Sequence, residues 1–374
     1  MKVVIAPNAL KGSLTALDAA QAMAAGVLKA LPQAETVLVP VADGGDGLTE
    51  VLTGPLQGKL IKELVTGPIT EKVSAEYCYI AEQKTAVIEI AAASGIALLK
   101  QSQYCACRSS TYGTGELVKA ALAAGAKKII IGLGGSATCD GATGLAAALG
   151  VRFLGANNQE IEPCGQNLIN IKKIEMSDLP ARLAGVKIIA ACDVDNPLLG
   201  PTGSAYVYAP QKGATPQQVV ELEAGLKNLA AVLKRDLQFE LTTLPGAGAA
   251  GGAGAGVVAF LGAELQSGID IVFELTGLAE RMRGADLVLT AEGQLDGQTA
   301  FGKAPAGVSR LAAANNIPCL AFGGSIQDLE ELNKIGITAA FSICAGPVSL
   351  DEAIEQAKPF LTAATEQAMR AFLI

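Results

Sequence analysis

Apolar and polar positions along the chain fall into two textures. At the N-terminus, Lys2 to Ala6 predicts a short apolar strand. Leu17, Ala20, Met23/Ala24, Val27/Leu28 and Leu31 then recur at helical spacing. Thr36 to Val41 predicts a second strand, ended by the loop Asp43-Gly44-Gly45-Asp46-Gly47. The last third repeats this alternation. Leu287 to Thr290 reads as a buried strand, 306–314 as a helix, and Cys319 to Phe322 and Ala339 to Ile343 as further strands. Ser349-Leu350-Asp351-Glu352 is a capping box that opens the final helical stretch. Such alternation predicts a parallel sheet with helices on both faces.

The middle reads differently. Residues 71–90 alternate as antiparallel strands do, with Val73, Ala75, Tyr77 and Tyr79, then Ala86, Ile88 and Ile90 on one phase. From about 116 to 154 the order is helix, strand (Ile129-Ile130-Ile131), Gly-rich loop, helix, strand. Val186 to Ala191 is a strand that ends in Cys192-Asp193-Val194-Asp195. Thr215-Pro216-Gln217-Gln218 starts a helix whose buried stripe is Leu222, Leu226, Leu229 and Leu233. The predicted fold class is therefore α/β with two different α/β domains. Residues 1–64 plus 285–374 form a discontinuous Rossmann-like parallel-sheet domain, and 65–284 an inserted α/β domain with a mixed sheet.

The length of 374 residues suits two or three domains at roughly 150 residues each. With 28 Lys+Arg against 36 Asp+Glu the net charge is −8, which lacks the basic footprint of a nucleic-acid binder. The absence of His removes Ser-His and Cys-His nucleophile pairs, imidazole metal sites and histidine bases together. The eight cysteines contain no CxxC and read as buried thiols of a reducing compartment. The N-terminus is too short in apolar residues for a signal peptide. The uncharged run Leu241 to Ala263 is broken by Pro245 and rich in Gly and Ala, so it predicts a loop leading to a buried helix near Gly256. The expectation is a cytoplasmic protein with no membrane and no nucleic-acid partner.

Candidate chemistry concentrates in loops after strands, where open α/β sheets place ligands. Lys11 and Ser13 follow the first strand and could hold an anion, although Ser13 or Thr15 could equally be a plain helix cap. Asp43 and Asp46 on a glycine hinge suit Mg²⁺ or a substrate hydroxyl, or a simple capped turn. Gly134-Gly135-Ser136-Ala137-Thr138 with Asp140, and Gly113-Thr114 upstream, have the texture of a phosphate cradle. Asp193 suits a metal ligand or base, with an Asx turn before Pro197 as the plain alternative. Glu292, Asp296 and Lys303 add charge at another strand end, and Lys212 lies on a predicted loop where a solvated surface charge is the bland reading. Two nucleotide-binding patterns fail on context. Gly297 to Lys303 spells G-x-x-x-x-G-K but is followed by Ala304, and Gly246 to Gly251 spells G-x-G-x-x-G with no strand before it. Together the loops hold the parts of phosphoryl transfer, which needs positioning and charge neutralisation more than a nucleophile.

At this level the sequence resembles the bacterial glycerate kinases. The resemblance rests on Lys11-Gly12-Ser13-Leu14, Asp43-Gly44-Gly45-Asp46-Gly47, Tyr112-Gly113-Thr114-Gly115-Glu116 and Gly134-Gly135-Ser136-Ala137-Thr138 with Asp140-Gly141. Cys192-Asp193-Val194-Asp195-Asn196-Pro197, Gln211-Lys212-Gly213, Glu292-Gly293 with Asp296, and Gly302-Lys303-Ala304-Pro305 continue it in family order. Cys139 and Gln294 stand where the family commonly has Asn and Arg. The resemblance implies ATP- and Mg²⁺-dependent phosphorylation of D-glycerate at the 2-hydroxyl, with 3-phosphoglycerate formation as the alternative, in a cleft between two domains. It implies Lys11, Asp43, Asp193 and Lys303 as catalytic residues, and Asp46, Asp193 and Asp296 toward the metal. Ser13, Gly44, Gly45, Gly113, Thr114, Gly134, Gly135, Ser136, Thr138, Asp140, Lys212 and Glu292 would bind substrate or phosphate. A homodimer is compatible with this reading. Two rivals stand beside it: a phosphohydrolase using Asp193 as nucleophile, and a sugar-acid sensor without turnover.

Overall fold

The computed structural model describes residues 1–374 except 43–46, 55, 177, 298 and 300–302, and except the side chain of Glu50. In chain order the strands are β1 (Lys2–Ile5), β2 (Glu35–Leu38), β3 (Lys59–Thr66), β4 (Lys72–Ile80), β5 (Thr85–Glu89), β6 (Lys128–Gly132), β7 (Arg152–Leu154), β8 (Lys173–Glu175), β9 (Lys187–Ala191), β10 (Glu264–Gln266), β11 (Leu287–Leu295), β12 (Cys319–Ile326) and β13 (Ala339–Ser342). The chain divides into two compact units. One comprises Met1–Asp43, Gly54–Leu56 and Ile269–Ile374; the other comprises Gly44–Thr53 and Gln57–Gly268.

The first unit carries the sheet β13-β12-β11-β1-β2, parallel throughout. Val3, Val4 and Ile5 of β1, which lies between β11 and β2, are wholly buried, as a strand covered on both faces requires. Thr15 caps the helix Ala16–Ala30 by accepting from the Asp18 amide. That helix packs against Ala357–Phe372 so closely that a Cβ on Gly26 would lie 2.5 Å from the Thr362 carbonyl oxygen. Close approach selects small side chains, so Ala19, Ala20, Met23 and Val27 are buried while the expected stripe residues Leu17 and Leu28 are exposed. Ser349 caps Leu350–Glu355 through the Glu352 amide. From β1 the chain moves to β2 on one side, and from β11 to β12 and β13 on the other. The switch point of this sheet lies between β1 and β11, where ligands of open α/β sheets bind.

The second unit carries the sheet β10-β9-β6-β5-β4-β3. β5, β6, β9 and β10 run parallel, while β3, β4 and β5 are joined antiparallel, so the sheet is mixed as the two textures predict. β3 pairs with β4 over its whole length, from Lys59↔Tyr79 to Thr66↔Lys72, which ties residues 59–64 to this unit; 269–284 group with the other one. The chain passes between the units at 43/44, 53/54, 56/57 and 268/269, where the sequence pattern sets the junctions at 64/65 and 284/285. Thr215 and Gln218 form the full capping box of Pro216–Leu237, and its Leu222, Leu226, Leu229 and Leu233 are buried.

The helix Tyr112–Ala123 crosses β3 at Gly113, where a Cβ would lie 1.8 Å from the Thr66 carbonyl oxygen. Gly113→Ala is therefore expected to destabilise the protein by about 2 kcal/mol or more, because backbone on one side cannot yield to a methyl group on the other. Urea unfolding of the variant checks this; a midpoint equal to wild type would show that the crossing relaxes freely.

Candidate active site

In the first unit, two loop systems meet at the switch point. The Asn8 amide donates to the Ala291 carbonyl at 2.8 Å, joining the loop after β1 to β11. β11 does not end near Thr290, as its apolar run suggests. Its ladder with β12 continues to Leu295↔Ile326, so Glu292 lies within a strand. The Glu292 side chain is 10% exposed and sits 3.8 Å from the ammonium of Lys303, the residue that precedes the helix Ala304–Ala314. Gly293, the next residue, passes beside Lys11: a Cβ there would stand 3.4 Å from the Lys11 amide nitrogen. Lys11 itself is exposed. Glu292 and Lys303 are thus paired, and the Lys11 backbone passes beside the strand that carries Glu292.

Ser13 is spent locally, its hydroxyl donating to the Leu10 carbonyl, and Thr15 rather than Ser13 caps the helix that follows. Asp296 closes a turn, accepting from the Thr299 amide at 3.2 Å and from Gln294 Nε2 at 2.9 Å. Asp43, Gly44, Gly45 and Asp46 lie outside the described residues.

In the second unit the loops after β6 and β9 leave the same edge of the sheet, because β6 and β9 are parallel neighbours. Their side chains sort by depth. Gly135 is exposed and Gly134 half-buried, and among the described residues the amides of these two donate to no partner. Gly135 adopts φ +69°, a left-handed turn that favours glycine. Beneath them Ser136, Thr138 and Asp140 are buried.

Asp140 is a hub. Its Oδ2 accepts from the Thr111 amide at 2.8 Å, the Thr111 hydroxyl at 2.8 Å and the Gly144 amide at 3.2 Å, and its Oδ1 from the Ala142 amide at 3.2 Å. Burial pushes its carboxyl up, against the pull of these donors. Lys212 is no surface charge: it is 4% exposed, and its ammonium donates to Ser136 Oγ at 2.8 Å and to the Thr138 carbonyl at 2.7 Å. Burial holds its pKa below the usual lysine value, while Cys139 and Asp140 pull upward. Thr114 is buried too, its hydroxyl 2.8 Å from that of Ser94. Gly113 serves the helix crossing described above.

Asp193 is exposed after β9, and its Oδ1 accepts from the Gly268 amide at 2.8 Å and the Ser267 hydroxyl at 3.1 Å. The glycine-rich stretch closes over this edge. The stretch Ala249–Leu261 is broken by Ala250, Gly251 and Gly252, all left-handed, so its regular helix begins just after Gly252, a few residues before the expected start near Gly256. A Cβ on Gly251 would lie 1.9 Å from the Thr138 carbonyl oxygen, and one on Gly248 2.3 Å from that of Pro197. Sequence reasoning passed over Glu89, which ends β5 at this same edge and accepts from the Thr49 amide at 2.7 Å and from the Thr49 hydroxyl. The available signal was an acidic residue out of phase with Ala86, Ile88 and Ile90 at the close of an apolar strand.

Among the described residues no three Asp, Glu, Cys or His side chains gather as a metal site. No helix among them is long and apolar enough to cross a membrane. All eight cysteines are free thiols.

A parallel sheet and a mixed sheet, with lysines, carboxylates and glycines in the loops after their parallel strands, define an α/β protein with the parts of phosphoryl transfer. Comparison with known proteins narrows this. The model of the glycerate kinase family matches residues 3–373. A glycerate kinase of Bacillus cereus is 45% identical over 96% of this chain and 94% of its own length, and the glycerate 2-kinase of Escherichia coli is 44% identical over the same shares. A glycerate kinase 2 crystal structure from Salmonella typhimurium LT2 superposes with a TM-score of 0.91 at 39% identity, covering 100% of this chain and 98% of that one. The chain belongs to the glycerate kinase family and is an enzyme.

Proposed function

We propose that the enzyme transfers the γ-phosphoryl group of ATP to the 2-hydroxyl of D-glycerate, giving 2-phosphoglycerate. The observation that carries the phosphate side of this reading is the pair of amides at Gly134 and Gly135, without an acceptor among the described residues, on the edge where parallel strands deliver ligands. The likeness to a relative named glycerate 2-kinase supports the choice of hydroxyl.

In this reading Gly134 and Gly135 donate to phosphate oxygens, and Lys11 and Lys303 offset charge on the phosphoryl group or hold the glycerate carboxylate. Glu292, within ion-pair range of Lys303, sets where that ammonium points. With no imidazole in the chain the proton acceptor is a carboxylate, and Asp193 takes that role. The substrate oxygen forms a bond to the γ-phosphorus, the bond to the ADP oxygen breaks, and the hydroxyl proton passes to the carboxylate. Asp193 Oδ1 already accepts two hydrogen bonds, which suits a held base better than an attacking phosphohydrolase nucleophile.

Mg²⁺ fits the donor chemistry. It keeps waters and takes one or two carboxylates together with substrate phosphates, so it needs no cluster of three protein ligands. Asp193 in one unit, Asp296 in the other, and Asp46, which lies outside the described residues, are separate candidates for a carboxylate ligand, and an ion so held would neutralise phosphate charge. Free thiols and the pairing of ATP with a small sugar acid go with a cytoplasmic location.

The test is ADP release with MgATP and either enantiomer of glycerate. Turnover on D-glycerate that disappears without ATP is expected; ATP-independent release of phosphate from phosphoesters, or glycerate binding without turnover, would overturn the reading.

A further inference from the structure

The sequence motif that contains Lys212 suggests a cation touching phosphate, and the structure puts that cation out of reach. Lys212 is 4% exposed, and its ammonium donates to two acceptors in the loop after β6. We infer that Lys212 is a positioning residue: its ammonium clamps Ser136 and Thr138 from below, and so holds the Gly134–Gly135 amides in the geometry that receives nucleotide phosphates. This rests on the proposed kinase reading and deepens it.

The clamp is fixed from both ends. Lys212 closes a short 3-10 turn, Pro210–Lys212, and its carbonyl accepts from the Ala106 amide at 3.0 Å. Gly213, at φ +88°, turns the chain immediately after it, and a Cβ there would lie 2.7 Å from the Tyr104 carbonyl oxygen. The lysine backbone therefore has little freedom. On the other side of the loop, Gly251 lacks the Cβ that would strike the Thr138 carbonyl. That carbonyl is thus held between an ammonium and a passing backbone. The Ala137 amide, between the two clamped residues, donates to the Ser94 carbonyl at 2.9 Å, and the Ile96 amide donates to Gly135 at 2.9 Å.

The loop is thus fixed at the Gly135 carbonyl, the Ser136 hydroxyl, the Ala137 amide and the Thr138 carbonyl, while the more exposed amides of Gly134 and Gly135 and the buried Thr138 hydroxyl have no partner among the described residues. A buried ammonium is costly to desolvate, and a Leu or Met could fill its volume. What an apolar chain could not do is bond a hydroxyl and a carbonyl two residues apart, and thereby set the backbone direction between them.

The experiment compares Lys212→Met, Ser136→Ala and the double variant with wild type. MgADP affinity is read by calorimetry, and KM for ATP and for glycerate are read separately. Misplacing donors by a fraction of an ångström to one ångström costs on the order of 10–100-fold. Lys212→Met is therefore expected to weaken MgADP binding and raise the ATP KM by about tenfold or more, with the glycerate KM within about twofold of wild type. Ser136→Ala is expected to move the same way by about threefold, and the double variant to be no worse than Lys212→Met, because both act through one contact.

Unchanged nucleotide affinity in a folded Lys212→Met protein overturns the inference, as do equal rises in both KM values, or losses that multiply in the double variant. Should Lys212→Met fail to fold, Ser136→Ala alone decides, by its effect on nucleotide and not glycerate. Tight wild-type MgADP binding with unaffected variants sinks only the positioning role. Absence of wild-type nucleotide binding sinks the kinase reading with it.

Discussion

Replacing Asp140 by alanine is expected to lower the unfolding free energy by about 4 kcal/mol, the largest stability effect of any single site change considered for this chain. The carboxylate is wholly buried and accepts from two Thr111 donors and from the Ala142 and Gly144 amides. Alanine leaves these donors without an acceptor, and each unmet buried group costs roughly 1–3 kcal/mol before relaxation. The damage spreads, because the Thr111 hydroxyl also accepts from the Leu145 amide and so ties the loop to the helix Thr143–Ala148. Asp140→Asn is expected to cost about half as much: its carbonyl oxygen keeps part of the set, and its amide group faces hydrogens. Urea melts of both variants check the ranking. A loss under about 1 kcal/mol for alanine would show that the hub is dispensable.

Lys303→Met is expected to leave the fold intact and to lower kcat/KM by on the order of 10²–10³-fold, the range for removing one preorganised charge from a developing anion. The stability effect is small because Lys303 is partly exposed and its 3.8 Å pairing with Glu292 is long. Glu292→Gln is expected to lose less, about tenfold, since it disturbs only where the ammonium points. Steady-state kinetics alongside thermal melts separate the two effects. A Lys303→Met enzyme within about threefold of wild type would remove that residue from the chemistry.

Most of the architecture was legible because it is written in periodicity. The 2-residue alternation at 71–90 and the apolar runs at 2–6, 129–131 and 287–290 all became strands. The ends of elements were harder. β11 extends past its apolar run through Glu292 and Gln294, since a ladder to β12 supplies hydrogen bonds that no side-chain pattern reveals. Leu17 and Leu28 fell outside the buried face of their helix because the neighbouring helix approaches at Gly26.

For the loops, the residue types were visible and their depth was not. Ser136, Thr138, Asp140 and Lys212 look like phosphate ligands as letters, yet all four are buried under two glycines, with Lys212 bonded to Ser136 and the Thr138 carbonyl and Asp140 bonded separately to Thr111, Ala142 and Gly144. Burial of a lysine depends on residues 74 and 76 positions away in the chain, a pairing that one sequence does not disclose. Glu89 was missed for the same reason, as its partner Thr49 lies across the fold.

The central claim is phosphoryl transfer from ATP to the central carbon's hydroxyl of glycerate. Phosphorus NMR of the product formed from MgATP and D-glycerate tests it most directly. The account predicts one new resonance, coupled to a single proton on the phosphate-bearing carbon, that co-migrates with authentic 2-phosphoglycerate. A resonance coupled to two protons, that of 3-phosphoglycerate, or no new phosphoester at all, would contradict it.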